Sequence, residues 1–196
     1  MKKIMMTLAA AVLAISASAQ VYVGGTLGFK SENVNHDLGN GASTDQKETT
    51  FKIRPEVGYN LNENWAVGAQ IGFTSITHNN NGPTTTMFDI APYARYTFLK
   101  LGSVSIFADG KINFGTSTTE TDLGNGVKQK AESSDFGINI VPGVAFKASE
   151  KISFVAKLGD GLGYNYHKIK DGDKTTTFGL DLNSLASLNF GLYYNF

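Results

Sequence analysis

The chain has 196 residues and a mass of 21.0 kDa, enough for one domain with a substantial core. Its 17 basic residues equal its 17 acidic residues, so no basic excess points to nucleic acid as a partner. Cysteine is absent, which excludes disulfides, thiol nucleophiles and cysteine-bound metals. Charged residues make up only 17% of the chain, below the roughly 25% of an average soluble domain. The distribution of the apolar residues therefore decides the class of fold.

The N-terminal residues have the organisation of a cleaved signal peptide. Two lysines precede an apolar stretch, Ile4–Ile15, and the small residues Ser16–Ala19 precede a cleavage site before Gln20. The apolar stretch is too short for a membrane-spanning helix, which needs about 20 residues. We therefore predict that residues 1–19 are removed on export and that residues 20–196 form the mature domain.

Eight later segments alternate between apolar residues and small or polar ones with a period of two, which is typical of β-strands with two different faces. The segments are Val21–Phe29, Phe51–Tyr59, Trp65–Thr74, Phe88–Phe98, Val104–Phe114, Phe136–Phe146, Ile152–Gly159 and Ser187–Phe196. Their length of about ten residues suits a tilted strand that crosses a membrane. The pattern predicts eight amphipathic strands.

The connections between these segments alternate between short and long. Tight turns are expected near Asn60–Asn64, Lys100–Ser103 and Ala148–Lys151. Short turns at one end and long loops at the other are the asymmetry of an outer-membrane barrel. The predicted long, polar loops are Asn33–Thr49, Thr77–Thr86, Thr116–Ser134 and Asn165–Ser184.

Alternation alone leaves open which face points inward, because a lipocalin-like soluble barrel would enclose a ligand with its apolar face. Two observations favour the inverted arrangement. The polar face is rich in small residues and carries charges of both signs, which can pair inside a narrow lumen. Aromatic residues of the apolar face stand near both ends of the segments, as in interfacial girdles. We therefore predict a lumen charge network of Lys52, Arg54, Glu56, Asp89, Arg95, Asp109, Lys111 and Lys157.

Three prolines conflict with a regular closed barrel. Pro55, Pro92 and Pro142 lie inside predicted strands, where a residue without an N–H cannot complete the hydrogen-bond ladder. All three belong to the apolar face. We expect bulges or local breaks near them.

The C-terminal segment Leu188–Phe196 ends on an aromatic residue and has apolar residues at every second position before it. It resembles the signal by which the barrel-assembly machinery recognises outer-membrane barrels, and the matching residues are Phe190, Leu192, Tyr194 and Phe196. Together with the signal peptide and the eight strands, it makes the mature chain similar to the small outer-membrane β-barrel family, the OmpA-like or OmpX-like "porin family" proteins. The resemblance implies contact with outer-membrane lipid and a location in the outer membrane of a Gram-negative bacterium. We expect no periplasmic peptidoglycan-binding domain of the kind that OmpA-like proteins often add.

Motifs for chemistry are sparse. His36, His78 and His167 all fall in the predicted long loops, and Asp-Leu-Gly-Asn-Gly occurs at both Asp37–Gly41 and Asp122–Gly126. Metal binding is the weaker interpretation, because Asn-Gly is a strong turn former and no EF-hand pattern follows. Gly159–Gly163 lacks the Lys-Ser/Thr of a phosphate loop and is expected to be the flexible rim of strand seven.

The sequence thus predicts an all-β protein, an eight-stranded antiparallel up-and-down transmembrane β-barrel with both termini in the periplasm. We expect a structural or surface-interaction role, with an extracellular partner bound through the exposed loops. A narrow porin-like channel for small solutes or ions is the alternative, and an outer-membrane lipid-modifying enzyme is a distant third. No catalytic, cofactor-binding or metal-binding residue is predicted.

Overall fold

The computed structural model describes residues 20–37, 43–79, 82–123, 127–158, 161–170, 172–181 and 188–196. Within these ranges the chain forms ten β-segments: β1 (Val21–Asp37), β2 (Ser43–Asn60), β3 (Trp65–His78), β4 (Thr84–Leu101), β5 (Val104–Asp122), β6 (Lys128–Lys147), β7 (Ile152–Leu158), β8 (Gly161–Ile169), β9 (Lys174–Asp181) and β10 (Leu188–Asn195). No helix in the part of the chain that the structure describes is long and apolar enough to cross a membrane. The predicted signal peptide, residues 1–19, lies outside the described ranges.

The ten segments make up the eight strands of a closed antiparallel barrel. Each of β1 to β6 pairs with the next one along the chain. β7 and β8 both pair with β6 and together form the seventh strand, whereas β10 and β9 pair with them and form the eighth. β10 also pairs with β1, from Tyr22↔Asn195 to Leu27↔Phe190, and this closes the barrel. The predicted fold class is confirmed.

The three predicted tight turns are present at one end of the barrel, here called the turn end. Between β2 and β3 the Asn62 side chain accepts hydrogen bonds from the backbone N–H groups of Asn64 and Trp65, both at 2.9 Å. Between β4 and β5 only two residues separate the paired Leu101 and Val104, and Gly102 adopts a φ of 59°. Such a tight hairpin requires a positive φ, which glycine adopts without strain.

At the other end, here called the ribbon end, the predicted long loops are wrong in extent. The β1–β2 pairing continues to Asp37↔Ser43, and the β5–β6 pairing continues to Asp122↔Lys128. The predicted loop Asn165–Ser184 is also largely strand, because β8 pairs with β9, whereas in Thr77–Thr86 only the two ends are strand and the ladder of β3 and β4 stops at Thr77↔Thr84. Most of the predicted loop residues are therefore paired β-ribbon, and the strands β1 to β6 have 14 to 20 residues.

Each of the three prolines lies where pairing with one neighbouring strand is interrupted. The β2–β3 ladder passes from Ile53↔Phe73 to Glu56↔Gln70 and omits Pro55. In the same way the β4–β5 ladder has no pair at Pro92. At Pro142 the partner of β6 changes from β7 to β8. The expected local breaks are confirmed, and each proline keeps regular pairing with the strand on its other side.

The two faces of the wall have the predicted orientation. Small and polar residues of every strand point into the lumen, and buried charged residues include Glu56, Arg95, Asp109, Lys111 and Lys157. The large apolar residues of the other phase are exposed on the outside of the barrel. The interior of the barrel thus combines charged and polar side chains with buried aromatic ones, and the outer surface is apolar.

Candidate functional site

The middle of the lumen is filled by four aromatic side chains, each of which lies on a glycine of the adjacent strand. Their cross-strand pairs are Tyr22↔Gly58, Tyr93↔Gly68, Tyr193↔Gly24 and Phe107↔Gly143. A Cβ added at any of these glycines would overlap the paired aromatic residue. The absence of a side chain on the glycine is therefore what lets each ring lie flat across the narrow lumen.

Four charged side chains meet among these rings. Arg95 donates two hydrogen bonds to Asp109, from Nε to Oδ1 at 2.6 Å and from Nη2 to Oδ2 at 2.9 Å. Lys157 Nζ lies 2.7 Å from Glu56 Oε2 and 3.1 Å from Asp109 Oδ2. Arg95 Nη2 is also 3.6 Å from Glu56 Oε1. Two positive and two negative groups thus form one neutral cluster, as a buried site requires.

Polar side chains around the cluster complete its hydrogen bonds. Gln70 Nε2 donates to Glu56 Oε2 at 2.8 Å, and the Tyr93 hydroxyl donates to Glu56 Oε1 at 3.2 Å. The Tyr93 hydroxyl also shares a hydrogen bond of 2.6 Å with that of Tyr22. Arg95 Nη2 donates to the Tyr193 hydroxyl at 3.0 Å. We call the whole group the plug: Glu56, Arg95, Asp109, Lys157, Tyr22, Tyr93, Tyr193, Phe107 and Gln70.

Half of the predicted charge network belongs to the plug. Arg54 and Asp89 form a separate pair nearer the ribbon end, with Nη2 and Oδ1 3.8 Å apart. Lys52 and Lys111 also have interaction partners in the structure. The sequence interpretation did not single out the plug residues Gln70, Tyr22, Tyr93, Tyr193 and Phe107. Their position on the predicted inward face is the signal that could have identified them.

A cavity lies on each side of the plug. The cavity of about 190 Å³ toward the turn end is lined by Tyr22, Arg95, Phe107 and Tyr193 of the plug together with turn-end residues. The cavity of about 240 Å³ toward the ribbon end includes Arg54, Asp89, Asn113, Asp135 and Asn165 in its lining. The plug therefore lies between two vestibules whose linings include charged side chains.

The outer surface carries the features of a lipid-facing wall. Near the turn end Trp65 and Tyr96 are directly paired, with ring centroids 4.8 Å apart. Near the ribbon end Phe114 and Phe136 are also paired, with centroids 5.5 Å apart. Two aromatic rows on either side of an aliphatic belt are typical of a barrel at the two membrane interfaces. The predicted assembly-signal residues Phe190, Leu192, Tyr194 and Phe196 are exposed on this same outer surface.

The two histidines whose side chains the structure describes each contact a different acidic residue. His78 Nε2 lies 3.2 Å from Glu48 Oε2, and His167 Nδ1 lies 2.6 Å from Asp135 Oδ1. The side chain of His36 and most of both Asp-Leu-Gly-Asn-Gly repeats lie outside what the structure describes. Among the described residues, no group of three or more His, Asp or Glu side chains could hold a metal ion.

The prediction of a flexible rim at Gly159–Gly163 is wrong for its described part. Gly161–Gly163 begins β8, and Gly163 pairs with the buried Asn139 inside the wall. The strand continues beyond the glycines because β6 remains available as a pairing partner up to Ser133↔Ile169. Gly159 and Asp160 lie outside the described ranges.

The fold of a solved outer-membrane protein agrees with this architecture. Neisserial surface protein A (NspA) is similar over 91% of this chain and 98% of its own, with 16% identity and a TM-score of 0.50. The loop L8 deletion mutant of OmpT from Vibrio cholerae matches over 90% of this chain and 49% of its own, with 14% identity and a TM-score of 0.33. The translocator domain of the autotransporter NalP from Neisseria meningitidis matches over 100% of this chain and 96% of its own, with 10% identity and a TM-score of 0.43. At these identities the likeness to NspA concerns the fold alone. No curated protein sequence matches the chain.

A family model described as "Outer membrane protein beta-barrel domain" matches residues 4–196. This match spans almost the whole chain, including every strand described above. The chain therefore belongs to the outer membrane protein beta-barrel domain family.

Proposed function

We propose that this protein is a closed scaffold that presents its β-ribbons at the cell surface, and that it does not conduct solutes through an open pore. The plug is the observation that carries the proposal. Its four charges and four rings occupy the middle of the lumen, and an eight-stranded barrel is only wide enough for its own side chains to fill it. The side chain of Glu56 at the centre is 0% exposed.

The ribbons support a role at the surface. From Phe114 to Asp122, β5 continues for about 27 Å beyond the aromatic row, at about 3.4 Å per residue. Its outward residues there are Thr116, Thr118 and Glu120, which suit water and not lipid. A rigid, hydrogen-bonded ribbon can hold a binding surface well clear of the membrane. Loops and ribbon tips of this kind are where binding residues concentrate on a rigid scaffold.

Planar-bilayer recording of the purified barrel tests the closed state. We expect no large, steady conductance from the wild-type protein. The variant Tyr93→Ala with Phe107→Ala removes two rings from the plug and should raise the conductance. A current from this variant would show that the recording detects inserted protein. Large, steady conductance of the wild-type protein would contradict the scaffold proposal.

The surface role is tested by shortening one ribbon. Replacement of Thr116–Ser134 by a two-residue Asn-Gly turn keeps the β5–β6 pairing below Phe114↔Phe136 intact. We expect a folded barrel that has lost adhesion, phage binding or antibody recognition, with solute permeability unchanged. Unchanged recognition by every such partner would argue against a role for this ribbon.

A narrow channel is the second candidate, and the two vestibules favour it. The turn-end vestibule reaches Arg95 and Phe107 of the plug, and the ribbon-end vestibule is lined by Arg54 and Asp89 on the other side, so a channel would need the plug between them to rearrange. If the protein is such a channel, it should show small, brief conductance steps. The ion selectivity of these steps should change in Arg54→Gln, because this substitution alters the lining of the ribbon-end vestibule and leaves the plug intact. Selectivity that does not respond to this change would remove the channel candidate.

The proposal places the turn end in the periplasm and the ribbon end outside the cell, after export and removal of residues 1–19. Protease treatment of intact cells should then cleave the ribbons and spare the turns. The mass of the mature protein should correspond to a chain that starts at Gln20. Recognition of Phe196 by the assembly machinery belongs to the same proposal, and Phe196→Ala should lower the inserted fraction of exported protein.

We propose no enzymatic role for the ribbon-end vestibule. The candidate nucleophile nearest to it, Ser117 on β5, lies 3.5 Å from the carboxylate of the vestibule residue Asp135, which in turn contacts His167. The carboxylate, and not the imidazole, is thus the group that contacts the hydroxyl, whereas a nucleophilic serine needs the base beside it. Fatty-acid release or transfer from added lipid that disappears in Ser117→Ala would contradict this proposal.

A further inference from the structure

The outward face of β5, β6 and β8 changes from aromatic residues to hydroxyl and lysine side chains immediately beyond the aromatic row at the ribbon end. The last apolar row is formed by Phe114, Phe136 and Tyr166, which are paired with one another across the three strands. Two residues further along each strand, the next row is formed by Thr116, Ser134 and Lys168. Hydroxyl groups and a lysine ammonium group therefore lie where the strands emerge from the hydrocarbon core of the membrane.

Two lysines of this face are placed directly opposite each other. Lys168 on β8 pairs with Lys174 on β9, and both side chains are exposed. Neither forms an ion pair with any acidic side chain that the structure describes. Like charges at directly opposed positions destabilise a sheet unless something compensates them. An anion held between the two ammonium groups would provide that compensation.

A third lysine extends the basic face. Lys170 belongs to the row Thr118, Glu132 and Lys170, and its Nζ lies 2.9 Å from Glu132 Oε2. This row and the row of Thr116, Ser134 and Lys168 together line a cavity of about 390 Å³. We call Lys168, Lys170 and Lys174 the lysine patch.

We propose that the lysine patch and its cavity bind the phosphorylated sugar headgroup of a glycolipid in the surrounding membrane leaflet. Lysine ammonium groups bind phosphate as point charges, and the Thr116 and Ser134 hydroxyls can donate further hydrogen bonds to it. Glu132 can accept hydrogen bonds from sugar hydroxyls. The acyl chains would lie against Phe114, Phe136 and Tyr166 directly below.

A lipid fits this site better than a free anion. The aromatic row lies two residues before the row of Thr116, Ser134 and Lys168 on the same three strands, so an occupant with a phosphate at one end and hydrocarbon at the other can contact both rows at once. A free phosphate would gain only the polar contacts and would meet the Glu132 carboxylate. This proposal rests on the proposed function, because the ribbons emerge through the outer leaflet only if the ribbon end faces the outside of the cell.

Lipid binding to the purified, full mature barrel in phosphatidylcholine nanodiscs tests the proposal without depending on the orientation. The probe is fluorescent lipid A with its phosphates, compared with the same lipid after enzymatic dephosphorylation. We expect the wild-type protein to bind the phosphorylated form and to lose most of this binding on dephosphorylation or at high salt. Protease treatment of intact cells tests the orientation separately.

The variant Lys168→Gln with Lys174→Gln should weaken binding of the phosphorylated lipid roughly thirty-fold, because each lysine near an anionic surface contributes about 1 kcal/mol. Lys168→Arg with Lys174→Arg should bind like the wild-type protein. The matched control is Lys47→Gln, an exposed lysine on the ribbon part of β2, on another part of the wall. It should leave binding unchanged.

Three results would overturn the proposal. Equal binding of phosphorylated and dephosphorylated lipid by the wild-type protein would exclude phosphate recognition, and this comparison needs no variant. Equal loss of binding in Lys47→Gln would show a non-specific charge effect. Displacement by inorganic phosphate at concentrations similar to those of the lipid would identify a free-anion site instead.

Discussion

Glu56 on β2 and Lys157 on β7 meet inside the barrel with Oε2 and Nζ 2.7 Å apart, although 101 residues separate them in the chain. Neither strand is a neighbour of the other in the wall. Their contact therefore links two parts of the barrel that no backbone hydrogen bond joins. The ion pair therefore crosslinks two strands through the lumen and also helps to close the lumen.

Removing the charge of Glu56 should destabilise the barrel strongly. Glu56→Gln leaves Lys157 buried beside only Asp109 and gives the cluster a net positive charge. Breaking a buried ion pair on one side generally costs about 3–5 kcal/mol. Urea unfolding in lipid vesicles should show this decrease in the free energy of unfolding. Glu63→Gln is the matched control, because Glu63 is exposed at the turn end and lies 3.9 Å from Lys100. An equal loss in both variants would contradict the special role of the plug.

Filling the space under Tyr22 should also destabilise the barrel. In Gly58→Ala the added methyl group would overlap the Tyr22 ring and push its hydroxyl away from Tyr93. Overpacking of this kind costs about 1–3 kcal/mol. Gly110→Ala makes the same change on the outer face, where the nearest atom to a Cβ is the Ala94 carbonyl oxygen at 3.8 Å. The urea concentration at the midpoint of unfolding should fall in Gly58→Ala and remain unchanged in Gly110→Ala.

The single tryptophan reports the depth of the turn-end aromatic row. Trp65 is 46% exposed on the outer wall, beside Tyr96. Indole rings at this position lie at the level of the lipid headgroups. Its fluorescence should be quenched more by lipids brominated near the headgroup than by lipids brominated near the end of the acyl chain. Stronger quenching from the bilayer centre would place the membrane boundary elsewhere on the barrel.

The ion pairs of the β5–β6 ribbon should be visible by titration. Lys130 Nζ lies 2.6 Å from Glu120 Oε1, and this contact lowers the pKa of Glu120 below its ordinary value. Because the folded-state pKa is lowered, the stabilising effect is present above the ordinary pKa and disappears as the pH falls through the lowered one. Carbon-13 NMR of the Glu120 carboxyl should show a rise of the pKa in Lys130→Gln. Lys128→Gln should change it less, since Lys128 is 4.0 Å away.

The alternation within the membrane-crossing segments could be seen in the sequence because lipid and lumen are different solvents. Residues such as Ile53 and Phe73 face hydrocarbon, whereas their neighbours Lys52 and Thr74 face the lumen, so the period of two appears directly in the residue types. The tight turns and the prolines are equally local signals. Pro92, for example, indicates a missing ladder bond whatever the rest of the fold is.

The ribbons could not be seen in this way because both of their faces meet water. Asn33 and Lys47 are paired in β1 and β2, yet neither residue type suggests a strand. The backbone hydrogen bonds between paired strands do not depend on side-chain polarity. Strands β1 and β2 therefore continue beyond the residues at which the alternating pattern ends. The register of the closed barrel decided the rest. It placed Tyr22 on Gly58 and brought Lys157 to Glu56, because cross-strand and cross-lumen distances depend on strand order and stagger and not on the local sequence.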